Sequence, residues 1–260
     1  MTQQFLQGKT ALVTGSTSGI GLGLATSLAR AGANIVINGF GGHDEAIDSI
    51  RASGVKAIFH PADMRLPSEI EDMMNQAIKH FGNVDILVNN AGIQHVSPIE
   101  DFPISKWDDV IAINLSSAFH TTRLALPGMR STNWGRIINI ASVHGLVGSA
   151  NKSAYVAAKH GIVGLTKVTA LETAATGVTC NAICPGWVLT PLVQKQVDAR
   201  AKNLNISDDE AKRQLLSEKE PSMQFTTPDE LGELALFFCS PAGKNVTGVA
   251  WNMDGGWTAQ

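Results

Sequence analysis

The chain has 260 residues, of which 44% are hydrophobic and 17% are charged, and its formal net charge at pH 7 is −3. This length suits one large α/β domain or two small ones, and the composition is that of an ordinary globular protein. The small negative charge argues against a nucleic-acid or membrane-surface partner, so neither is predicted. The N-terminus shows no basic segment before an apolar run, and no apolar stretch reaches the ~20 residues of a membrane span, which predicts a cytoplasmic protein.

Three cysteines, Cys180, Cys184 and Cys239, occur in the second half of the chain. An odd number without a secretion signal argues against a disulfide framework. No cluster of His or Cys near them would complete a zinc site. They are therefore predicted to be small buried residues, and no metal is predicted.

The first candidate site is a glycine turn near the N-terminus. Thr10–Thr14 predicts a buried parallel strand, which runs into G-S-T-S-G-I-G and then a helix over Leu22–Ala31. Glycines let a pyrophosphate approach the backbone, and a helix N-terminus offers free N–H groups. The spacing G-x-x-x-G-x-G is not the more familiar G-x-G-x-x-G, so alone it leaves an ordinary strand–helix turn open. The residues assigned here to a dinucleotide cofactor are Gly15, Thr17, Ser18, Gly19, Ile20 and Gly21.

The loop after the second predicted strand, Asn34–Asn38, bears on the choice of cofactor. An acidic residue here would bind an adenosine ribose 2′-hydroxyl, whereas a nearby Arg would favour a 2′-phosphate. The loop has neither, and no Lys or Arg follows before Arg51, which favours NAD over NADP. Phe40 is a candidate to pack along the adenosine, with a surface position as the alternative.

The third predicted strand, Lys56–His60, adds two further cofactor candidates, Asp63 and Met64. Asp63 could meet the adenine at the carboxyl edge of the sheet, or it could cap a turn. The residues alone do not separate these two roles.

Strands and helices alternate along the rest of the chain. Further strands are predicted over Asp85–Val88, Gly135–Ala141, Val178–Ile183 and Thr247–Asn252, and further helices over His43–Ala52, Ser68–Phe81 and Trp107–Leu126. The alternation predicts an α/β fold with a doubly wound parallel seven-stranded sheet of the Rossmann type. Ligands of such sheets bind beyond the carboxyl ends of the strands. Residues 1–260 are predicted to form a single dinucleotide-binding and catalytic domain.

A polar helical segment of about residues 192–227 separates the sixth and seventh strands. Ser207 and Glu210 have the spacing of a capping box, which predicts a helix from there to about Leu216. A segment of this length above the carboxyl ends of the strands suits a substrate lid, with a surface excursion as the alternative.

The only tyrosine, Tyr155, is followed one helical turn later by Lys159. A phenol has a pKa near 10, so alone it is a poor base at pH 7. A cation about 4 Å away, at an effective dielectric constant of about 20, contributes roughly 4 kcal/mol. This would bring the pKa of the phenol near neutrality and let it exchange a proton with an alcohol. A half-buried Tyr beside a solvated Lys gives the same short pattern, so other motifs must decide.

Those motifs occur in one order: T-G-S-T-S-G-I-G from Thr14, N-N-A-G from Asn89, then Asn114, Ser142, Y-x-x-x-K and P-G. Together they resemble the short-chain dehydrogenase/reductase family over essentially the whole chain. The resemblance implies that Tyr155 is the general acid/base, its pKa lowered by Lys159 and by the positive nicotinamide. It further implies that Ser142 orients the substrate oxygen, and that Asn114 holds a water that relays protons.

The resemblance extends the cofactor site to the ends of the fourth and sixth strands. Lys159 would also hold the nicotinamide ribose, and Thr190 would bond the carboxamide. The added cofactor residues are Asn90, Ala91, Gly92, Tyr155, Lys159, Pro185, Gly186, Trp187, Val188 and Thr190. A homotetramer is implied as well, packed through the two long helices near Trp107–Leu126 and Ser153–Thr176.

Segments outside these motifs, among them G-I-Q-H-V, S-V-H-G, A-N-K-S and the terminal D-G-G-W-T-A-Q, are similar to bacterial family members that act on D-3-hydroxybutyrate. The similarity implies NAD-dependent, reversible oxidation of this small hydroxy acid to acetoacetate. Its carboxylate needs donors or a cation beside the reacting carbon. The predicted substrate-binding residues are Gln94, Ser142, His144, Lys152, Tyr155, Trp187, Gln196 and Trp257.

Two other functions remain open at this point. One is an NADPH-dependent 3-ketoacyl thioester reductase, against which the absence of a cation after the second strand argues. The other is a non-catalytic dinucleotide-sensing protein, which would have no need of a proton relay.

Overall fold

The computed structural model describes residues 4–259 and contains one parallel sheet. Its seven strands are β1 Thr10–Val13, β2 Asn34–Asn38, β3 Ala57–His60, β4 Ile86–Asn89, β5 Gly135–Ile140, β6 Val178–Pro185 and β7 Ala250–Met253. Their spatial order is β3-β2-β1-β4-β5-β6-β7, and each neighbouring pair is parallel. The order reverses between β1 and β4, which opens a ligand crevice at their carboxyl ends.

Nine α-helices lie in the described part of the chain. They are α1 Gly19–Arg30, α2 His43–Arg51, α3 Pro67–Phe81, α4 Ile104–Ile111, α5 Ser117–Ser131, α6 Ser153–Thr173, α7 Pro191–Leu204, α8 Asp208–Ser217 and α9 Pro228–Cys239. One apolar core joins the sheet to α1 and α9, and a second joins it to α3 and α5. Layers of helices on both faces explain why strands such as β1 are buried throughout. The predicted doubly wound, seven-stranded parallel fold is confirmed.

The helical region predicted over Trp107–Leu126 contains a π-helical turn. α4 ends at Ile111, a π-helical turn covers Ala112–Ser116, and α5 then begins. The turn contains Asn114, and asparagine is mildly unfavourable in the interior of a regular α-helix. The predicted helical region is thus helical throughout but divided by the π-helical turn, and this deviation lies at a candidate site residue.

The segment between β6 and α9 folds into α7 and α8, with a difference at the start of α8. The Ser207 hydroxyl accepts from the Glu210 N–H at 3.2 Å. The Glu210 carboxylate, however, contacts Arg213 and Gln214 and does not return to Ser207. The predicted capping box is thus only half formed. A complete one opens α9, where Thr227 and Glu230 bond each other reciprocally.

Other observations concern membranes, metals and thiols. Within residues 4–259, no helix has both the length and the apolar character needed to cross a bilayer. The same residues contain no cluster of three or more His, Cys, Asp or Glu side chains suited to a metal ion. All three cysteines are buried free thiols, as predicted.

Candidate active site

The glycine turn between β1 and α1 has the backbone that its sequence demands. Gly15 and Gly19 have φ values of +62° and +57°, a region that L side chains rarely adopt. A Cβ on Gly21 would lie 2.2 Å from the Gly15 carbonyl oxygen. The Asn90 amide donates to the Thr14 and Gly15 carbonyls at 2.9 Å, which fixes the turn against β4.

This turn leaves the N-terminus of α1 free to bind an anion. Ser18 occupies the N-cap position but makes no side-chain capping bond, and the first turn contains no acidic residue. The first N–H groups of the helix therefore have no intrahelical partner. Open N–H groups beside a close-packed glycine backbone fit a pyrophosphate.

A cavity of about 570 Å³ lies over the carboxyl ends of β1, β4, β5 and β6. It contains all eight predicted substrate residues and most of the predicted cofactor residues. Those lining it are Gly15, Ser18, Gly19, Ile20, Gly21, Asn90, Ala91, Gly92, Gln94, Ser142, His144, Lys152, Tyr155, Lys159, Pro185, Gly186, Trp187, Val188, Thr190, Gln196 and Trp257. One cavity thus joins the phosphate turn to the Tyr155 helix.

Four predicted cofactor residues lie outside the lining of this cavity. Phe40 is 74% exposed, and its carbonyl accepts a bond from the Thr17 hydroxyl at 3.2 Å. Met64 is buried in the core beside α3. The Asp63 carboxylate is held by the Arg65 side chain, whose Nε lies 3.0 Å away, and this contact lowers the pKa of Asp63. Their contact with a cofactor stays a prediction.

Asn114 also lies outside the lining. Its Oδ1 accepts from the Ile93 N–H and its Nδ2 donates to the Ile93 carbonyl, both at 2.9 Å. The π-helical turn therefore anchors the loop that follows Asn89–Gly92. The structure assigns Asn114 an anchoring contact, and the predicted water relay stays a prediction.

Ser142 and Tyr155 meet across the cavity floor. Ser142 ends the segment after β5 and caps a short 3-10 turn over Val143–Gly145. Tyr155 lies in the first turn of α6 and lines the cavity together with Ser142. Burial raises the pKa of the Tyr155 phenol above its ordinary value, and the Ser142 hydroxyl opposes this rise. The expectation that Lys159 alone brings this pKa near neutrality was wrong.

The Lys159 ammonium is hydrogen-bonded to a backbone carbonyl. It donates to the Ile140 carbonyl at 2.7 Å and lies 5.5 Å from the centroid of the Tyr155 ring. The side chain is 4% exposed, and burial lowers the pKa of Lys159 to about 8. Tight packing of the 3-10 turn on α6 holds this arrangement, since a Cβ on Gly145 would lie 2.7 Å from the Lys159 carbonyl.

His144 extends the polar floor away from the glycine turn. Its Nδ1 lies 3.3 Å from the Ser142 Oγ, and its backbone N–H donates to the same oxygen at 3.2 Å. Burial and the charge of Lys152 lower the pKa of His144 to about 4, so the ring is neutral at pH 7. Its Nε2 is buried without a partner among the described residues.

Two tryptophans close this end of the cavity. The Trp257 ring packs edge-on to His144 at 5.5 Å between centroids, and Trp187 lies 6.4 Å from Trp257. The indole Nε1 of Trp187 is buried and has no partner within residues 4–259. Apolar walls with unsatisfied donors suit a small polar substrate.

Lys152 stands at the same end, immediately before α6. It is half-buried, and burial lowers the pKa of its ammonium. No carboxylate within the described part of the chain lies at ion-pair distance from it. A partly desolvated cation without a counter-charge favours an anion in the cavity.

The structure adds apolar residues to the lining that sequence reasoning missed or left unassigned. These are Val96, Ile140, Ala141, Val143, Pro191, Leu192 and Val193. Their side chains carry no chemistry that a motif could reveal. The only sequence feature that could have identified them as lining residues is their position at or shortly after the end of a predicted strand.

Comparisons with known proteins agree with this geometry. The family model described as short chain dehydrogenase matches residues 9–201. The D-beta-hydroxybutyrate dehydrogenase of Cupriavidus necator is 68% identical, covering 98% of this chain and 100% of its own. The protein of the same name from Rhizobium meliloti is 55% identical, covering 97% and 99%. The crystal structure of levodione reductase is 29% identical, with a TM-score of 0.88 over 97% of this chain and 98% of its own.

Proposed function

The chain belongs to the short-chain dehydrogenase family, and we propose that it catalyses the reversible oxidation of D-3-hydroxybutyrate to acetoacetate with NAD. The observation that carries the choice of substrate is Lys152, a half-buried cation that has no counter-charge within residues 4–259 and lies at the cavity end that contains Ser142 and Tyr155. A hydroxy acid supplies both the missing anion and the alcohol that the phenol can deprotonate.

The cofactor of this family is a nicotinamide dinucleotide, which supplies the hydride acceptor and, when oxidised, a positive charge. The open N–H groups at Gly19–Gly21 would hold its pyrophosphate. Lys159, facing the cavity from α6, would hold the nicotinamide ribose. Thr190, at the N-terminus of α7, would bond the carboxamide.

NAD is favoured over NADP by the side chains around the end of β2. The Asn38 amide is committed to the Gly15 N–H and to the His60 and Ala62 carbonyls. The Arg65 guanidinium is held by Asp63 and Asp109, and that of Arg51 donates to a backbone carbonyl. Among the described residues, both of these arginines are therefore committed to other partners, and neither is free to hold a 2′-phosphate.

Proton transfer is assigned to Ser142 and Tyr155, which line the same cavity. The Ser142 hydroxyl orients the substrate alcohol oxygen beside the phenol. Burial raises the pKa of Tyr155 and so disfavours its phenolate. The positive charges of Lys159 and of oxidised nicotinamide would together stabilise the phenolate and lower this pKa. Tyr155 takes the hydroxyl proton while C3 loses its hydride. In the reverse direction Tyr155 donates that proton to acetoacetate.

Substrate choice follows from the carboxylate two carbons from the reacting C–O bond. Lys152 would pair with it, while Gln94 and Gln196 would donate from the two exposed sides of the cavity. When the Nδ1–H of neutral His144 donates to the Ser142 oxygen, the Ser142 proton stays available for the substrate oxygen. The His144 ring would then form part of the wall beside the carboxylate. Trp187 and Trp257 would enclose the methyl end.

The test is a matrix of D-3-hydroxybutyrate, L-3-hydroxybutyrate and a 3-ketoacyl thioester against both nicotinamide cofactors, followed by the absorbance of the reduced nicotinamide. Turnover of the D acid with NAD, at a kcat/KM well above every other combination, supports the proposal. Preference for the thioester with NADPH identifies a ketoreductase and contradicts it. Cofactor binding without turnover of any pair identifies a sensor and equally contradicts it.

Three further predictions belong to this proposal. We propose that the chain is one catalytic domain in which α7 and α8 form a lid over the cavity. A homotetramer is supported by the exposed apolar residues Phe119 on α5 and Val168 and Leu171 on α6, since these helices were predicted to meet a second copy. Light scattering coupled to size exclusion tests the tetramer. A cytoplasmic location stays a prediction from the sequence.

A further inference from the structure

Glu220 is a buried carboxyl group directly behind the substrate wall. It follows α8, and its side chain is 1% exposed. One oxygen, Oε2, accepts from the backbone N–H of Trp187 at 3.0 Å. The other, Oε1, is buried with no hydrogen-bond partner among the described residues. A buried carboxyl group with only one of its two oxygens hydrogen-bonded is energetically unfavourable, which indicates a specific role for Glu220.

The surroundings of Oε1 are backbone and a second acid. A Cβ placed on Gly186 or on Gly255 would lie 3.0 Å from it, so the end of β6 and the turn after β7 both pack against this oxygen. Asp254 is the charged group that acts on Glu220 from that turn, and its own oxygens accept from Gly256 and Thr258. On the side of β6, the group that faces Glu220 is the backbone N–H of Trp187, two residues after the end of the strand.

Burial, with a smaller effect from the charge of Asp254, raises the pKa of Glu220 to about 7. A carboxyl in this environment is therefore largely neutral at mildly acidic pH, where a glutamine would replace its shape and its acceptor oxygen. Above pH 7 the charged form predominates.

Three segments pack together around this side chain, and two of them carry the substrate-site residues Trp187 and Trp257. Residues 220–227, between α8 and α9, form a segment that we call the lid limb. It is joined to the residues after β6 by the Thr226 N–H, which donates to the Trp187 carbonyl at 3.0 Å. The same limb is joined to the C-terminal turn by the Ser222 N–H, which donates to the Gly255 carbonyl at 2.9 Å. Glu220 begins this limb and is bonded to Trp187, whose ring faces Trp257.

We propose that Glu220 is a positioning residue that fixes Trp187 against Trp257 and so holds the lid limb, the end of β6 and the C-terminal turn in the geometry that closes the substrate end of the cavity. The inference rests on the proposed function for its choice of substrate. It assigns Glu220 no contact with the reacting atoms. Its acceptor oxygen, not its charge, does the positioning.

The experiment compares Glu220→Ala and Glu220→Gln with Glu233→Ala, a matched change at an exposed glutamate on α9. Removing the acceptor from the buried Trp187 N–H is expected to raise KM for D-3-hydroxybutyrate by about tenfold to a hundredfold. The Kd for NAD, which the glycine turn dominates, should change less than about threefold. Glu220→Gln keeps the acceptor, so its KM should stay within about threefold of wild type at pH 7. Glu233→Ala should match wild type.

Two readouts do not depend on the substrate. Near-ultraviolet circular dichroism is sensitive to the packing of Trp187 on Trp257, two of the five tryptophans, and its tryptophan signal should change in Glu220→Ala but not in Glu220→Gln. Because the folded-state pKa of Glu220 is raised, its contribution to stability is present below the unfolded pKa of 4.5 and is lost as the pH rises through about 7. The difference between the Tm of Glu220→Gln and that of wild type should therefore shift in favour of the variant as the pH rises from 5 to about 8.

A folded Glu220→Ala protein with wild-type KM and wild-type dichroism overturns the inference. A Glu220→Gln protein as defective as Glu220→Ala overturns it too, because the acceptor oxygen would then not be what matters. If Glu220→Ala does not fold, Glu220→Gln alone decides, through its KM and the pH dependence of its Tm. If wild type does not oxidise 3-hydroxybutyrate, the substrate proposal fails, and the dichroism and Tm still test Glu220.

Discussion

Replacing Lys152 by Gln removes the cation that we assign to the substrate carboxylate and keeps a side chain of similar length. Lys152 is half-buried and has no acidic partner within residues 4–259, so its charge does not serve a structural ion pair there. The variant should fold as wild type does. Its effect should fall on the binding of the acid.

The magnitude follows from the exposure of Lys152. A hydrogen bond to a charged group contributes about 1.5–3 kcal/mol when it is shielded from water. Because the ammonium is only half-buried, we take the lower half of this range. The expected rise in KM for D-3-hydroxybutyrate is then about tenfold to fortyfold, with a smaller change in kcat.

The assay compares the acid with its methyl ester, which has the same reacting carbon but no charge. Lys152→Gln should raise KM for the acid by the stated factor and change that for the ester by less than about threefold. Lys56→Gln, at an exposed lysine before β3, serves as the matched control and should leave both unchanged. Equal losses for acid and ester would refute the assignment, because Lys152 would then act on the fold of the cavity and not on the carboxylate.

The remaining predictions concern the phenol, the histidine and the glycine turn. Tyr155→Phe should lower kcat by about 10²–10⁴-fold and leave the Kd for NAD within about threefold, as measured by steady-state kinetics and fluorescence titration. Because the pKa of His144 is depressed to about 4, its contribution to stability is present above pH 6.5 and is lost as the pH falls through about 4. His144→Asn should therefore reduce the acid-induced loss of unfolding free energy by up to about 3 kcal/mol, as measured by urea denaturation at pH 7 and pH 4. Gly21→Ala, whose Cβ would clash with Gly15, should abolish NAD binding in calorimetry, whereas Gly148→Ala, with no atom within 4 Å, should not.

The sheet and the main cavity could be predicted because each rests on local patterns. Buried runs such as Asn34–Asn38 read as parallel strands, and the same span is β2 in the structure. In a parallel sheet the turns after successive strands meet at one edge, so residues far apart in sequence were expected together. Gln94, His144 and Lys152 do line one cavity.

What could not be predicted depends on tertiary contacts. The i,i+4 spacing places Lys159 beside Tyr155 but does not show that the ammonium bonds the Ile140 carbonyl, nor that burial raises the pKa of the phenol. An Asn inside a helix does not by itself predict a π-helical turn bonded to Ile93. Glu220 lies in a polar segment whose sequence resembles a solvated loop, yet it is 1% exposed.

The most direct test of the central claim follows the hydrogen itself. D-3-hydroxybutyrate deuterated at C3 is incubated with the enzyme and NAD, and the products are analysed by nuclear magnetic resonance. We predict that acetoacetate forms with an equal amount of reduced nicotinamide, that the deuterium is found at C4 of the nicotinamide, and that Tyr155→Phe suppresses the transfer. Deuterium released to solvent, or acetoacetate formed at the wild-type rate without Tyr155, would contradict hydride transfer driven by this tyrosine.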